Sequence, residues 1–151
     1  MAEVIESASV GEVKEYIVSR VGDEQYGIDI SYVDNIVRMQ SVTRVPKTQP
    51  YFIGVINLRG EIIPVMDLRK KLELEENELT SATRIIIIKP EQSALLGLLV
   101  DEVREVVSLA VEDIEDVQHD SNGEYNMYVT GVGKYKDTLI SLINVAGIID
   151  D

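Results

Sequence analysis

GVINLRGEIIPVMDL, residues 54–68, holds two apolar runs separated by Arg59 and Gly60. Both runs are rich in valine, isoleucine and leucine, and β-branched residues favour strands. Gly60 can adopt the positive φ that a tight hairpin turn needs. The stretch therefore predicts a β-hairpin with a permanent cation at its tip. Pro64 cannot donate a ladder hydrogen bond, so we expect the second strand to lie at a sheet edge or to be bulged there.

Hairpins recur along the whole chain. Tyr26, Ile28 and Ile30 alternate with small or polar residues, the period of a strand with one buried face. Farther along, RIIIIKPEQSALLGLLV carries an apolar run on each side of a turn at Pro90. A chain built from such units is predicted to be mainly β. The predicted hairpins cover residues 14–30, 54–68, 84–100 and 128–143.

Three short helices are predicted between or after these hairpins. Asp67 can cap the first, LRKKLEL, and Asn144 can cap the last, which follows the final hairpin. The remaining one is expected in SYVDNIVRM, residues 31–39, where its first serine can serve as the cap. In that segment three apolar residues fall at i, i+3 and i+4, the spacing of one helix face, namely Val33, Ile36 and Val37.

The two halves of the chain repeat weakly at a spacing of 77 residues. If this is a true repeat rather than chance, it implies two similar small β-barrels packed together. Each barrel alone, at roughly 65 to 70 residues, would have little core. The pairs that line up are Gly54-Val55 with Gly131-Val132, Ile62-Ile63 with Leu139-Ile140, and Asp67 with Asn144.

The hairpin tips of the two halves differ in sequence. The first reads Asn57-Leu58-Arg59-Gly60, whereas the matching residues are Lys134-Tyr135-Lys136-Asp137. The fold therefore does not require the first sequence. Arg59 is then either an ordinary solvated turn residue or a residue kept for contact with another molecule.

Composition excludes several classes of function. The 151 residues include no cysteine, which rules out disulfides, thiolate zinc sites and cysteine nucleophiles and suits the cytoplasm. A net charge of −13 repels nucleic acid and anionic membranes, and we expect neither as a partner. No window approaches 18 uncharged apolar residues, so direct membrane insertion is not expected.

Catalytic, cofactor and metal sites are not expected either. His119, the only histidine, lies in a polar loop beside Asp120, with no second ligand or nucleophile near it in sequence. The acidic residues elsewhere lack the spacing of a calcium-binding loop and are interpreted as solvated faces. They are Asp101, Glu102, Asp113, Glu115 and Asp116.

Longer segments of the chain resemble the CheW family of bacterial chemotaxis coupling proteins. The resemblance is carried by EYIVSRVGDEQYGIDISYVDNIVR, by VTRVPKTQPYFIGVINLRGEIIPVMDLRKKL and by LLGLLVDEVREVVSL. It runs over about residues 15–149, and its most specific part is Val-Ile-Asn-Leu-Arg-Gly at a fixed spacing from the preceding Val-Pro. It implies two intertwined five-stranded SH3-like β-barrel subdomains with a few short helices.

The resemblance also implies a domain layout. Residues 1–13 are expected to be a mobile tail, and residues 14–151 a single CheW-like domain. The first barrel would span about residues 14–80 and the second about residues 81–151, with strand exchange at the ends.

The resemblance further implies an adaptor without catalytic activity. Such a protein joins the cytoplasmic tips of methyl-accepting chemotaxis receptors to the regulatory domain of the histidine kinase CheA, and it is cytoplasmic and recruited to membrane receptor arrays. The residues implied for a receptor-facing groove between the subdomains, called the receptor set below, are Val33, Asn35, Ile36, Arg59, Ile85 and Leu96. Those placed on the outer strands of the first barrel, called the kinase set, are Val42, Val45, Gly54 and Ile62.

Asn35 is a departure from the family pattern. Many relatives carry an acidic residue here, beside the arginine of the hairpin tip, whereas this chain has Asn35 with Asp34 adjacent. An internal ion pair for Arg59 is therefore not expected. Two alternative functions stay open, the same-fold regulatory domain of a CheA-type kinase and an unrelated small-ligand-binding β-barrel. An oligonucleotide-binding barrel is disfavoured by the charge and by the few aromatic residues available for stacking.

Overall fold

A computed structural model describes residues 12–74, 78–90, 94–116 and 128–149. Within these ranges the chain is mainly β with a few short helices, as predicted. The helices are α1 (Leu68–Lys71) and α2 (Val145–Ile149), with 3-10 turns at Ile30–Tyr32 and Val111–Asp113. The strands are β1 (Val13–Val21), β2 (Glu24–Asp29), β3 (Val33–Arg38), β4 (Phe52–Leu58), β5 (Glu61–Asp67), β6 (Arg84–Ile88), β7 (Leu96–Val100), β8 (Glu102–Ala110), β9 (Ile114–Asp116), β10 (Val129–Tyr135) and β11 (Thr138–Ile143).

The strands form two sheets. One is six-stranded in the order β8-β1-β2-β11-β10-β9, and the other is five-stranded in the order β3-β6-β7-β5-β4. Each sheet has one parallel pairing among its antiparallel ones, β11 with β2 and β5 with β7. The four predicted hairpins are confirmed, since β1 and β2 are neighbours in the first sheet and β4 pairs with β5, β6 with β7 and β10 with β11.

The chain groups into two compact units. The central unit comprises Ser19–Glu24 and Ser31–Arg104, and the terminal unit comprises the described parts of Met1–Val18, Gln25–Ile30 and Glu105–Asp151. Strands β1, β2 and β8 have residues in both units. The resemblance implied a division near residue 80, and these units are grouped differently. Strands β6 and β7 follow residue 80 in the chain but hydrogen-bond to β3 and β5, which precede it.

The spacing of 77 residues recurs in the structure. Strands β4 and β10 begin at Phe52 and Val129, and helices α1 and α2 begin at Leu68 and Val145. The irregularities match as well, since register shifts occur between Phe52 and Gly54 and between Val129 and Gly131. Matching bulges in matching hairpins support a true structural repeat rather than chance.

Gly54 is required by a close backbone approach. Its φ is +141°, and an added Cβ would collide with the carbonyl oxygen of Thr43 and lie 2.7 Å from Cγ1 of Val42. Thr43 is held there by two backbone hydrogen bonds of 2.8 Å with Val55. Glycine at this position lets the segment around Thr43 lie directly against β4.

The helix predicted in residues 31–39 is wrong. Only a 3-10 turn forms at Ile30–Tyr32, and β3 follows it and pairs antiparallel with β6. Val33 and Val37 are half-buried, whereas Ile36 lies on the exposed face, so the burial has the period of a strand. Because the partner strand reads RIIII, pairing of β-branched residues prevails over the local helical spacing.

The two helix caps were predicted correctly. Asp67 accepts a hydrogen bond from the backbone N–H of Arg69 at 3.0 Å, and Asn144 accepts one from Gly147 at 3.2 Å. Pro64 was expected at a sheet edge or a bulge; β5 is not an edge strand, because it lies between β7 and β4, and the bulge of this hairpin lies on β4, between Phe52 and Gly54. Pro64 is accommodated just before the residues that pair with β7, which begin at Val65.

Each unit has its own hydrophobic cluster. The central one consists of Ile56, Ile63, Val65, Ile85, Ile87 and Leu99. The terminal one consists of Tyr16, Val18, Val107, Leu109, Ile140 and Leu142. Burial, and secondly the carboxylate of Asp29, raises the pKa of Tyr16.

Two predictions lie wholly or mainly outside the described residues. The expected tail covers residues 1–13, of which only residues 12 and 13 are described, and β1 already begins at Val13. His119 and Asp120 are not described. In the described ranges, no helix is long and apolar enough to cross a membrane.

Candidate protein-binding site

The tip of the β4–β5 hairpin holds Arg59 in an unusual conformation. Arg59 has φ +55° and Gly60 has φ +87°, so both central residues are left-handed, as in a type I′ turn. The sequence predicted this conformation for glycine only. For an arginine it costs roughly 1–2 kcal/mol relative to ordinary backbone. Lys136, at the matching tip of the second hairpin, has φ +57°, so the conformation belongs to this kind of turn, and the guanidinium group rather than the backbone distinguishes the first tip.

The guanidinium of Arg59 has no internal partner among the described residues. The residue is exposed, and no ion pair joins it to another described side chain. Asn35 does not bind it, because its Oδ1 accepts a hydrogen bond of 2.8 Å from the N–H of Ile36. No described side chain therefore competes with a second protein for the five guanidinium donors.

Three of the other receptor-set residues lie at the opposite edge of the five-stranded sheet order, while Ile85 and Leu96 lie on the inner strands β6 and β7. Val33, Asn35 and Ile36 belong to β3, and Arg59 follows β4, the two edge strands. Val33 pairs with Ile88, which pairs in turn with Leu96, so these three residues form one row across the sheet. The six residues of the set all lie in the central unit.

Two members of the receptor set are core residues of the central unit. Ile85 is fully buried and belongs to its hydrophobic cluster, and Leu96 is also buried. Their side chains therefore support the strands from within and present little area to a partner. Ile36, at 36% exposure, and Arg59 are the members that reach solvent most fully.

The kinase set divides in the same way. Ile62 is 63% exposed and Val45 is 42% exposed, so both offer apolar surface. Val42 is half-buried and packs on the central cluster, while Gly54 is buried beneath Thr43. Gly54 thus shapes this face by admitting the neighbouring backbone rather than by contact of its own.

A cleft of about 370 Å³ opens beside Val42. Apolar side chains and several charged ones line it, and Arg44 and Lys70 are exposed. The charged groups Asp67 and Arg69 also line it. Both are nearly fully buried, and they belong to an ion-pair network that sequence reasoning missed.

Arg69 joins two buried carboxylates. Its Nε and Nη2 donate hydrogen bonds of 3.2 Å to the two oxygens of Asp67, and its Nη1 lies 3.3 Å from Oδ1 of Asp101. All three residues are at most 5% exposed. Such a group is stable only when every charge is compensated, because an unpaired buried ion is costly. The adjacent Asp-Leu-Arg was the available sequence signal, since Asp67 caps α1 two residues before Arg69.

The network continues through Asp101 toward solvent. Its Oδ2 accepts a hydrogen bond of 2.7 Å from the N–H of Gly22 and lies 3.8 Å from Nη1 of Arg20. Nε of Arg20 in turn donates to Glu102 at 3.2 Å. The interpretation of Asp101 as part of a solvated face is therefore wrong, and its burial follows from these partners. These charges hold the start of α1, the end of β7 and the β1–β2 turn together.

The described acidic residues of the terminal unit lie on the surface. In the described part of the chain, no group of three or more histidine, cysteine, aspartate or glutamate side chains is placed to hold an ion. Asp113, Glu115 and Asp116 lie exposed around β9. The central unit, by contrast, carries a charged hairpin tip and exposed apolar side chains such as Ile62, which suit protein contacts.

Comparison with known proteins identifies the family. The profile of the CheW-like domain matches residues 15–151, nearly the whole chain. The chain belongs to the CheW-like domain family. Family membership makes it a component of chemotaxis signalling and not an enzyme.

Individual relatives agree with this assignment. The chemotaxis protein CheW of Bacillus subtilis (strain 168) is 35% identical over 144 residues, covering 95% of this chain and 92% of that protein. The chemotaxis protein CheW of Helicobacter pylori is 32% identical, covering 91% and 82%. The crystal structure of the scaffolding protein TtCheW from Thermoanaerobacter tengcongensis matches with a TM-score of 0.81 and 34% identity, over 88% of this chain and 90% of that one.

Proposed function

We propose that this CheW-like chain is an adaptor that couples the cytoplasmic tips of chemoreceptors to the regulatory domain of the histidine kinase CheA. It has no catalytic role in this proposal. It acts in the cytoplasm and is recruited to membrane receptor arrays by the receptors it binds. Family membership supports the chemotaxis context.

The observation that carries the proposal is the state of Arg59. An arginine at an exposed tip, without an ion pair to the described residues, can turn its guanidinium toward a second protein. A guanidinium supplies directional hydrogen bonds at a protein interface, where arginine is a common anchor. We assign Arg59 and the exposed Ile36 to the receptor, with Val33 and Asn35 beside Ile36 on β3.

The proposed kinase contact uses other residues of the central unit. Ile62 and Val45 supply its exposed apolar surface, and the segment around Val42 lies against β4. Burial of apolar area is the main source of affinity at protein interfaces. Ile85, Leu96 and Gly54 act in this proposal by shaping the two faces.

Replacement of Ile62 by aspartate is expected to weaken binding to the isolated CheA regulatory domain about tenfold, or about 1.4 kcal/mol. The physical reason is the loss of an apolar contact and the burial of a carboxylate against the partner. Because Ile62 is 63% exposed, the fold should be unaffected. Isothermal titration with purified domain and variant measures the change.

The matched control is Leu139→Asp. Leu139 stands 77 residues after Ile62, at the corresponding position of the β10–β11 hairpin, and is 65% exposed. We expect this variant to bind the regulatory domain as the wild type does. Equal losses in the two variants, or wild-type binding by Ile62→Asp, would contradict the assignment of this face.

A further inference from the structure

The side chain of Asn57 makes a hydrogen bond that spans Arg59 in the sequence. Its Oδ1 accepts from the backbone N–H of Gly60 at 3.0 Å, across the two intervening residues Leu58 and Arg59. Asparagine commonly binds the backbone of its own turn in this way. The bond fixes the orientation of the peptide unit that joins Arg59 to Gly60, which is the peptide that carries the donating N–H.

The second hairpin shows that a tight turn does not need this bond. The residue that matches Asn57 is Lys134, whose ammonium group cannot accept a hydrogen bond. Strands β10 and β11 are nevertheless paired up to Tyr135 and Thr138. Of the two central residues there, only Lys136 has a positive φ, at +57°. The hydrogen bond from the side chain of Asn57 is therefore found in the hairpin whose two central residues are both left-handed.

The position of Asn57 on its strand gives no other internal use for the side chain. Asn57 is exposed, and it pairs across the hairpin with the exposed Ile62. The side chain of Asn57 is not part of the central hydrophobic cluster, which contains its neighbour Ile56. What the carboxamide does in the described structure is to hold the Gly60 amide.

We propose that Asn57 is a positioning residue for receptor binding: by holding the Gly60 amide it fixes the direction in which the Arg59 side chain leaves the hairpin. This inference rests on the proposed function of Arg59 as the receptor contact. Asn57 itself does not touch the receptor in this account. It removes alternative turn conformations before binding, which lowers the ordering cost of the complex.

The test is a double-mutant cycle on receptor binding. Titration of a purified receptor tip is carried out with the wild type, Asn57→Ala, Arg59→Ala and the double variant. We expect Asn57→Ala alone to weaken binding about fivefold to tenfold. In the Arg59→Ala background the same substitution should have no further effect, because the group that it positions is already absent.

Two further variants separate positioning from loss of structure. Asn57→Asp retains an acceptor oxygen at the same distance from the backbone and should restore most of the affinity, whereas Lys134→Ala on the second hairpin should bind as the wild type does. Amide hydrogen exchange should be faster at Gly60 in Asn57→Ala, with an unchanged thermal midpoint.

The outcomes distinguish this inference from the proposed function. If Arg59→Ala weakens binding and Asn57→Ala does not, or if their effects add, the positioning role is overturned while the proposed function stands. If Arg59→Ala binds the receptor tip as the wild type does, the assignment of Arg59 and the positioning role are both overturned; if the wild type does not bind the tip, the proposed function is overturned.

Discussion

Replacement of Arg59 by aspartate is expected to weaken binding to a chemoreceptor tip by roughly 2 to 5 kcal/mol. The substitution removes the guanidinium donors and brings an unpaired carboxylate to the contact. Stability should not fall, because Arg59 is exposed at a turn and makes no ion pair with the described residues. Aspartate also tolerates the left-handed conformation better than most residues do. Receptor titration and a thermal melt on the same preparation measure the two effects separately.

Lys136→Asp is the matched control for this experiment. Lys136 occupies the corresponding tip of the β10–β11 hairpin and has nearly the same φ, at +57°. The charge reversal is identical, so a general effect of net charge on receptor binding would appear in both variants. We expect a much smaller loss for Lys136→Asp. Equal losses, or wild-type affinity for Arg59→Asp, would show that Arg59 is an ordinary turn residue.

Replacement of Arg69 by methionine is expected to destabilise the fold by about 3–5 kcal/mol. Methionine keeps much of the volume but leaves Asp67 and Asp101 facing each other, both at most 5% exposed and without their shared cation. Urea-induced unfolding followed by circular dichroism measures the loss.

Arg104→Met is the control at the exposed end of the same network. Nη2 of Arg104 lies 3.8 Å from Oε1 of Glu102, and the Arg104 side chain is 47% exposed. We therefore expect the free energy of unfolding to change by at most about 1 kcal/mol. Adding Asp67→Asn and Asp101→Asn to Arg69→Met should recover part of the lost stability, because no unpaired charge then remains buried. The account of the network fails if Arg69→Met unfolds at the wild-type urea concentration.

Local signals in the sequence predicted much of the fold. Asp67 and Asn144 could be recognised as caps because a cap bonds to residues two or three positions away. Gly60 could be recognised as a turn residue because its conformation depends mainly on its own lack of a side chain. The hairpins followed from apolar runs separated by such turns.

Features that depend on distant residues were missed. The pairing of β3 with β6 joins Ile36 to Ile86, fifty positions apart, and no local feature of residues 31–39 predicts it. Asp101 was interpreted as solvated for the same reason, since its burial depends on Arg69 and on the N–H of Gly22. A carboxylate in a charged segment shows no sign of burial until its partners are known.

The candidate site was predicted only in part for a related reason. Position in a family pattern does not distinguish a residue that touches a partner from one that supports the surface. Ile36 and Ile85 were both assigned to the receptor set, yet the first is exposed and the second is completely buried. Strand alternation places neighbours on opposite faces, and the face depends on register.

Capture of a receptor tip by chain already bound to the CheA regulatory domain tests the proposed adaptor function most directly. The regulatory domain is immobilised, the chain is loaded, and receptor tip is then added while bound mass is recorded. We predict that the tip adds mass only on surfaces that carry the chain, and that chain with Arg59→Asp is loaded normally but captures little tip. Displacement of the chain by the tip, or no added mass at saturating concentration, would contradict simultaneous binding and with it the adaptor function.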